Sequence, residues 1–346
     1  MLEIGSEFCN ADPVGRAKKF FISGRTALDY IIRDILNEYD IKSALLPSYC
    51  CHTMIEPFLK NGIKVRFYDV YFDECTGLSA DIPEPYENEI FYFMRYFGYK
   101  KIHGVCAEQI RKNWDFIIED KTHSWLLPEK ESISDYSFAS YRKWFGVSGI
   151  ALAEKMSGNF SVPLTYKNNA CYCELREKAA NLKKDFISGK QVDKNEFLHK
   201  FNEAENMLEK DYEDYAPTIQ AFNQLLSIDT DALKEKRRAN ASVLLERLNK
   251  TDGIRLLFND IETNDVPLFV PVLLQTERND LRRFLTENKI YCPVHWPLSF
   301  LHEGISERAK TIYGQELSLV CDQRYSEEDM LKIAVKIKEF ITRTKQ

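Results

Sequence analysis

The sequence predicts an α/β protein: a mostly parallel sheet between helices, followed by a smaller α+β C-terminal unit. Three observations predict it. Over the first 150 residues, short apolar runs alternate with stretches whose apolar side chains recur at a helical period. From about 170 to 250 the chain turns charged and helical. Beyond that, an apolar strand is followed by a helix, a Pro-containing loop and a last helix. A chain of 346 residues has material for one large and one small domain. The expected division is 1–235 and 236–346, with a helical segment at about 170–212 in the first.

The first helix is "GRTALDYIIRDILNEY" (24–39), with Ala27, Leu28, Ile31, Ile32, Ile35 and Leu36 on one side and Ser23 as its N-cap. "ALLPSY" (44–49) reads as a short buried strand, "TMIEPFLKNGI" (53–63) as a helix ending near Gly62, and "VRFYDV" (65–70) as the next strand. "IFYFMRYFG" (90–98) predicts a longer strand and "KIHGVCAEQIRKN" (101–113) a helix. "DFIIED" (115–120), "DYSFAS" (135–140) and "GIALAE" (149–154) are further strands. Such alternation buries a parallel sheet on both faces. In the middle, Leu175, Ala179, Leu182 and Phe186, then Phe197, Phe201, Ala204 and Leu208, mark two helices joined near Gly189. "DTDALKEKRRANASVLLERLNK" (229–250) is a longer helix, acidic at its start and basic later, as the helix dipole prefers. The tail gives a strand (266–274), a helix (278–289), the loop "YCPVHWPL" (291–298) and a final helix (326–345).

Lys+Arg number 47 against 53 Asp+Glu, a net charge of −6. That balance gives no general pull toward nucleic acid or anionic lipid. "MLEIGSEFCNADPVG" lacks a basic segment followed by an apolar one, and no stretch approaches the roughly 20 apolar residues of a membrane span. The nine cysteines are scattered, with Cys50 beside Cys51 and a CxC at Cys171 and Cys173, and none shows zinc-site spacing. The expectation is a cytoplasmic protein with reduced thiols, no metal site, and neither nucleic acid nor membrane as a partner.

Ligands of open parallel sheets collect at the carboxyl ends of strands. Asp120 ends "DFIIED", with His123 three residues on; Ser140 ends "DYSFAS", and Lys143 follows at the same spacing. Each alone is ordinary: an Asp after a strand is usually a turn residue and a Lys there is usually solvated. Their joint placement is not. "SGRTAL" (23–28) adds Gly24, Arg25 and Thr26 at a helix start, where free N–H groups and the dipole bind phosphate.

Together these parts resemble the pyridoxal-phosphate enzymes of fold type I, and among them the DegT/StrS sugar aminotransferase family. "SGRTAL" is similar to the phosphate-binding helix start, "IIEDKTHS" to the family's Glu-Asp-x-x-His/Gln stretch, and "SFASYRKWF" to its Ser-to-Lys stretch. "ALLPSYCCHTMIEPFLKNGIKVRFYDV" resembles its strand, turn, helix and next strand; "RRANASVLLERL" its arginine-rich helix; and "IYCPVHWPL" its small-domain loop. The matches run in order over nearly the whole chain.

The resemblance implies a large domain with a mostly parallel sheet of the seven-stranded type, a small α+β domain and a homodimer. It implies pyridoxal 5'-phosphate held as a Schiff base on Lys143. Asp120 would face the ring nitrogen and His123 the phenolic oxygen, with Ser140, Gly24, Arg25 and Thr26 on the phosphate. A lysine amine suits this chemistry because desolvation and nearby cations lower its pKa. The ring-covering position falls within "PSYCCH": a strict count gives Cys51, Tyr49 and His52 are able to stack, and Tyr49 is the residue we select. His295 is a candidate on the substrate side, or else a loop histidine held by Trp296 and Pro297.

Two departures stand out. The turn after Lys143 keeps only Gly146 and Gly149 of the family's Gly-rich stretch. Glu213 or Asp214 stands where the family has an asparagine reaching a partner's phosphate. Lysine at 143 argues against the family's dehydratase branch, which has a histidine there. The implied function is an aminotransferase of sugar biosynthesis, moving an amino group from an amino acid, with glutamate the expected donor, to a keto nucleotide sugar or similar polar metabolite. The alternatives are another pyridoxal-phosphate reaction (lyase, racemase or decarboxylase), or a non-catalytic relative that binds a nucleotide sugar or a protein.

Overall fold

Eight strands form the main sheet of the computed structural model, which describes residues 16–128, 133–275 and 277–344. The amino-terminal stretch read above for a secretion signal, 1–15, lies outside the described residues. The elements run β1 (Ala17–Phe21), α1 (Gly24–Glu38), β2 (Ser43–Pro47), α2 (His52–Lys60), β3 (Lys64–Asp73), β4 (Gly77–Asp81), β5 (Glu89–Met94), α3 (Ala107–Asn113), β6 (Phe116–Asp120), β7 (Tyr136–Ser140) and β8 (Ala151–Lys155). The spatial order is β1-β8-β7-β6-β5-β2-β3-β4. Strands β3, β2, β5, β6 and β7 are parallel; β8 runs against β7, β1 against β8, and β4 against β3. Beyond the seven-stranded type, β4 adds an eighth strand at the edge.

Local chemistry explains the boundaries. Ser23 caps α1, its Oγ accepting from the Thr26 N–H at 3.2 Å, and the helix buries Ala27, Leu28, Ile31, Ile32 and Ile35 against the sheet. Asp34, also buried, accepts hydrogen bonds from Tyr136, Lys155 and Ser161, which ties α1 to β7 and β8. The helix expected over 101–113 begins only at Ala107. Gly104 sits at φ +81°, and a Cβ there would come within 2.1 Å of the Ala80 carbonyl oxygen. The backbone beside it is drawn to β4 instead, through Ala80 N–H to His103 O at 2.8 Å and His103 N–H to Leu78 O at 3.0 Å.

The rest of the chain gives α4 (Ala170–Ile187), α5 (Lys194–Lys210), α6 (Ile219–Leu226), α7 (Thr230–Leu248), β9 (Ile254–Leu256), β10 (Phe269–Leu274), α8 (Arg278–Glu287), α9 (Glu307–Gln315), β11 (Glu316–Val320) and α10 (Glu327–Thr344). Helices α4 and α5 form the expected pair, turning at Gly189 (φ +84°), and pack Tyr172, Ala204 and Leu208 against Ile22. Strands β11, β10 and β9 form a second, antiparallel sheet with its own core against α7, α8 and α10. The strand expected from 266 starts at Phe269 because Val266 N–H and Leu268 N–H bond instead to Gly98 O and Phe97 O.

Helix α7 reaches into two cores. Leu233 packs with Trp144, while Leu244 and Leu248 pack with the second sheet. Between them Arg237, 2% exposed, donates to Trp144 O, Pro267 O, Leu268 O and Gln323 Oε1 at 2.9 to 3.2 Å. Among the described residues no helix is long and apolar enough to cross a membrane, and the eight described cysteines are free thiols.

Candidate active site

Side chains alternate along a strand, so Asp120 at the end of β6 and Ser140 at the end of β7 point to the face covered by α1. There they line one cavity with Ser23, Gly24 and Arg25 of the α1 start, with His123, and with Lys143 of the helical turn after β7. The α1 N-terminus points its free N–H groups at this cavity. Gly24 leaves it open: a Cβ there would lie 3.2 Å from Ser140 Cβ. Ser140, 5% exposed, has a hydroxyl with no hydrogen-bond partner.

Asp120 is fully surrounded by protein. Its Oδ2 accepts from the Tyr92 hydroxyl at 2.8 Å and its Oδ1 from the Thr122 N–H at 2.7 Å. Burial raises its pKa; the Thr122 and Tyr92 hydrogen bonds and the Lys143 charge oppose that rise. His123 Nδ1 accepts from the Phe97 N–H at 3.4 Å, which places the proton of a neutral ring on Nε2. Burial, then the His295 and Lys143 charges, hold it well below the usual histidine range, so it is neutral. The Lys143 side chain has accessible surface, but it faces cavities walled by protein. Burial and the adjacent Arg142 lower its pKa. Arg142 is itself paired with Glu205 of α5, which also takes Arg176 Nη1 at 3.0 Å.

The expected residues are not all brought together. Gly24, Arg25, Asp120, His123, Ser140 and Lys143 share the cavity. Thr26 turns back to the Ser23 hydroxyl at 2.9 Å and does not line it. Tyr49, selected to cover the ring, is fully buried elsewhere: its hydroxyl donates to His295 O, and its ring packs against Tyr96, Trp296 and Tyr313. Cys51, the residue of the strict count, does line the cavity. Burial pushes the Cys51 thiol up, but hydrogen bonds from His52 and Thr53 outweigh that and hold it below the ordinary value. Trp296, whose indole stacks on His123 at 5.5 Å and 23°, and Phe138 bring aromatic rings to the cavity wall.

His295 lies behind His123, ring edge to face at 5.6 Å, with Nδ1 2.8 Å from Ser318 Oγ. It is buried and does not line the cavity. Glu213 pairs with Lys167 and Asp214 with Arg33, and neither lines the cavity. Sequence reasoning missed Thr122, whose N–H holds Asp120, and Glu205, which sits 62 positions from Lys143 in sequence. Only an unpaired acidic residue on the inner side of α5 signalled the latter. Among the described residues, no group of three or more His, Cys, Asp or Glu side chains is placed to hold a metal ion.

These residues fit pyridoxal phosphate. The unpartnered Ser140 hydroxyl, the Gly24 cradle and the helix N-terminus suit a phosphate, and a buried carboxylate and a desolvated amine share the same space.

No protein-family model matches the chain, and no curated protein does. Solved structures do. The aminotransferase TlmJ from Streptoalloteichus hindustanus superimposes with a TM-score of 0.65 at 14% identity, over 95% of this chain and 87% of that one. DesV from S. venezuelae gives 0.63 at 16% identity, over 93% and 84%. The putative sugar aminotransferase Spr1654 from Streptococcus pneumoniae, in its PLP form, gives 0.63 at 15% identity, over 93% and 86%. At these identities the likeness speaks for the fold: the chain has the fold of these aminotransferases over 93–95% of its length, as the sequence predicted.

Proposed function

We propose that the chain is a pyridoxal-phosphate-dependent aminotransferase of the DegT/StrS type. It moves an amino group from an amino acid, with glutamate the expected donor, onto a keto group of a nucleotide sugar or similar polar metabolite. The observation that carries the reading is that Lys143, Asp120 and the unpartnered Ser140 hydroxyl open into one cavity at the α1 N-terminus.

When bound, the cofactor supplies an aldehyde that takes the amino group and a ring that accepts the electron pair of the substrate carbon. Ser140 Oγ, the Gly24 and Arg25 N–H groups and the Arg25 guanidinium would hold its phosphate. Asp120 would keep the ring nitrogen protonated, oriented by Tyr92 and Thr122. His123 would donate from Nε2 to the ring's oxygen. Lys143 Nζ, its pKa lowered by burial and then by Arg142, would hold the aldehyde carbon and would be the group placed to move a proton at the substrate carbon. Trp296 and Cys51 close the sides of this space.

The acceptor class has its own support. A second cavity of about 610 Å³ shares Arg142 and Lys143 and carries Arg176, Lys183, Lys184 and Arg324, with Asp322 the acidic residue of its wall among the described residues. Such a chamber suits an anionic substrate. A division near residue 235 accords with the second core, although α7 crosses that boundary. The homodimer and the cytoplasmic location belong to the same proposal; sedimentation at micromolar concentration tests the first.

Borohydride reduction of the chain saturated with pyridoxal phosphate, followed by peptide mapping, tests the reading. The label is expected on Lys143. Label on another lysine, or none, would sink it. Glutamate alone should then convert the bound cofactor to its amine form without loss of CO2, which separates an aminotransferase from a decarboxylase.

A further inference from the structure

The opposite face of β6, β7 and β8 holds a separate cavity of about 280 Å³ that the proposed chemistry leaves unused. Two buried carboxylates enter it, and each has a cation: Glu154 pairs with Lys18 at 3.2 Å and Glu119 with Arg95 at 3.4 Å. Ser137 also donates to Glu154 Oε2 at 3.1 Å. Among the described residues, three further donors in the same walls have no hydrogen-bond partner, while Glu154 Oε1, which also lacks one, keeps its ion pair to Lys18. The three donors are Lys121 Nζ, Ser124 Oγ and Trp125 Nε1, all buried atoms, and Ser124 is 3% exposed as a residue.

Unsatisfied buried donors are costly, by about 1–3 kcal/mol each, so three in one cavity call for an acceptor. The chemistry of that acceptor is constrained. An ammonium and an indole N–H only donate, and a hydroxyl donates readily. With the two carboxylates matched by Lys18 and Arg95, Lys121 is the cation in this cavity without a counter-charge among the described residues. The cavity lies below the roughly 300–1,000 Å³ of sites for drug-sized molecules.

We propose that this cavity is a second ligand site, which takes a small oxyanion, a carboxylate or a phosphate, on Lys121 Nζ, Ser124 Oγ and Trp125 Nε1. It is set back to back with the Lys143 cavity: Glu119 and Asp120 are adjacent residues on opposite faces of β6. The site also reaches the active-site turn. Ser124 follows His123, and the Trp125 ring meets Tyr141 edge-on at 4.9 Å and Trp144 at 6.3 Å, the residues on either side of Arg142 and Lys143. An occupant therefore bears on the segments that carry both. The inference does not rest on the cofactor reading.

The test is a titration of the purified chain, saturated with pyridoxal phosphate, with inorganic phosphate, acetate or chloride at constant ionic strength. Tryptophan fluorescence and melting temperature are followed in the parent chain and in Lys121→Met and Ser124→Ala. A saturable change with phosphate or acetate, absent with chloride, is expected, and its midpoint should rise at least tenfold in both variants. A response to acetate alone identifies a carboxylate site, and a response to phosphate alone a phosphate site. No saturable response, an equal response to chloride, or an unchanged midpoint in both variants would overturn the proposal. Ser124→Ala removes one hydroxyl and keeps the test valid if Lys121→Met folds poorly.

Discussion

Asp120 and Glu119 are neighbours in the chain, both 3% exposed or less, yet they face opposite sides of one strand. Toward α1, Asp120 is held by a tyrosine hydroxyl and a backbone N–H, with no cation in hydrogen-bond contact. Toward the other face, Glu119 and Glu154 are matched by Arg95 and Lys18. Neutral donors fix a carboxylate in place and leave its charge available to a ligand. A guanidinium or ammonium consumes that charge. The same strand thus presents one carboxylate held by neutral donors and one matched by a cation, and the partner chosen for each makes the difference.

Substitutions on the two faces should separate function from stability. The largest effect is expected for Lys143→Ala, with turnover falling by roughly 10³-fold or more because the nucleophile is lost. Its melting temperature should hold, since the side chain lines cavities rather than the packed core; a melting temperature several degrees lower would mean that Lys143 is structural. Asp120→Asn should lower kcat by about 10²-fold, as an electrostatic contribution is removed while the shape is kept. Cofactor titration should show binding retained.

On the other face, Glu119→Gln should weaken the ion pair with Arg95 and cost about 1–3 kcal/mol in urea unfolding, with kcat unchanged. If it lowered kcat as far as Asp120→Asn, the contrast between the faces would collapse.

The smallest effect concerns Glu205. Burial would raise its pKa, but Arg142 and Arg176 hold it down at about 2. A carboxylate lowered in the folded state stabilises above its unfolded value, near 4.5, and that stability is lost as pH falls toward 2. Glu205→Gln should therefore flatten the acid side of the stability profile between those values. At neutral pH its cost should be only about 0.5–1 kcal/mol, because the carboxylate is partly solvated. A parent profile already flat there would show the pairing to be weak.

The pattern of the sheet was legible because burial imposes it locally. Runs such as "DFIIED" and "DYSFAS" have the length and apolarity of central strands, and they were found within a residue or two. Edge strands were not: β1 reads "AKKFF", β4 reads "GLSAD", and β9 has three residues. Paired on one side or half exposed, they need no apolar run. In the site, residues at strand ends were legible because the chain itself sets their spacing. Where Tyr49 points was not legible, because its orientation depends on a carbonyl 246 positions away, at His295, and on the rings around it. Glu205 and Trp296 reach the site by tertiary packing alone, which no local period records.

Arg237 gives the molecule a mechanical property. Its guanidinium grips the backbone at Trp144, one residue from the amine, and with the same plane of N–H groups grips the lead-in to β10. The turn bearing Lys143 and the C-terminal sheet are clamped by a single rigid fork, so displacement of one is transmitted to the other. Any load placed on the C-terminal sheet would be felt as a pull on the turn that bears Lys143.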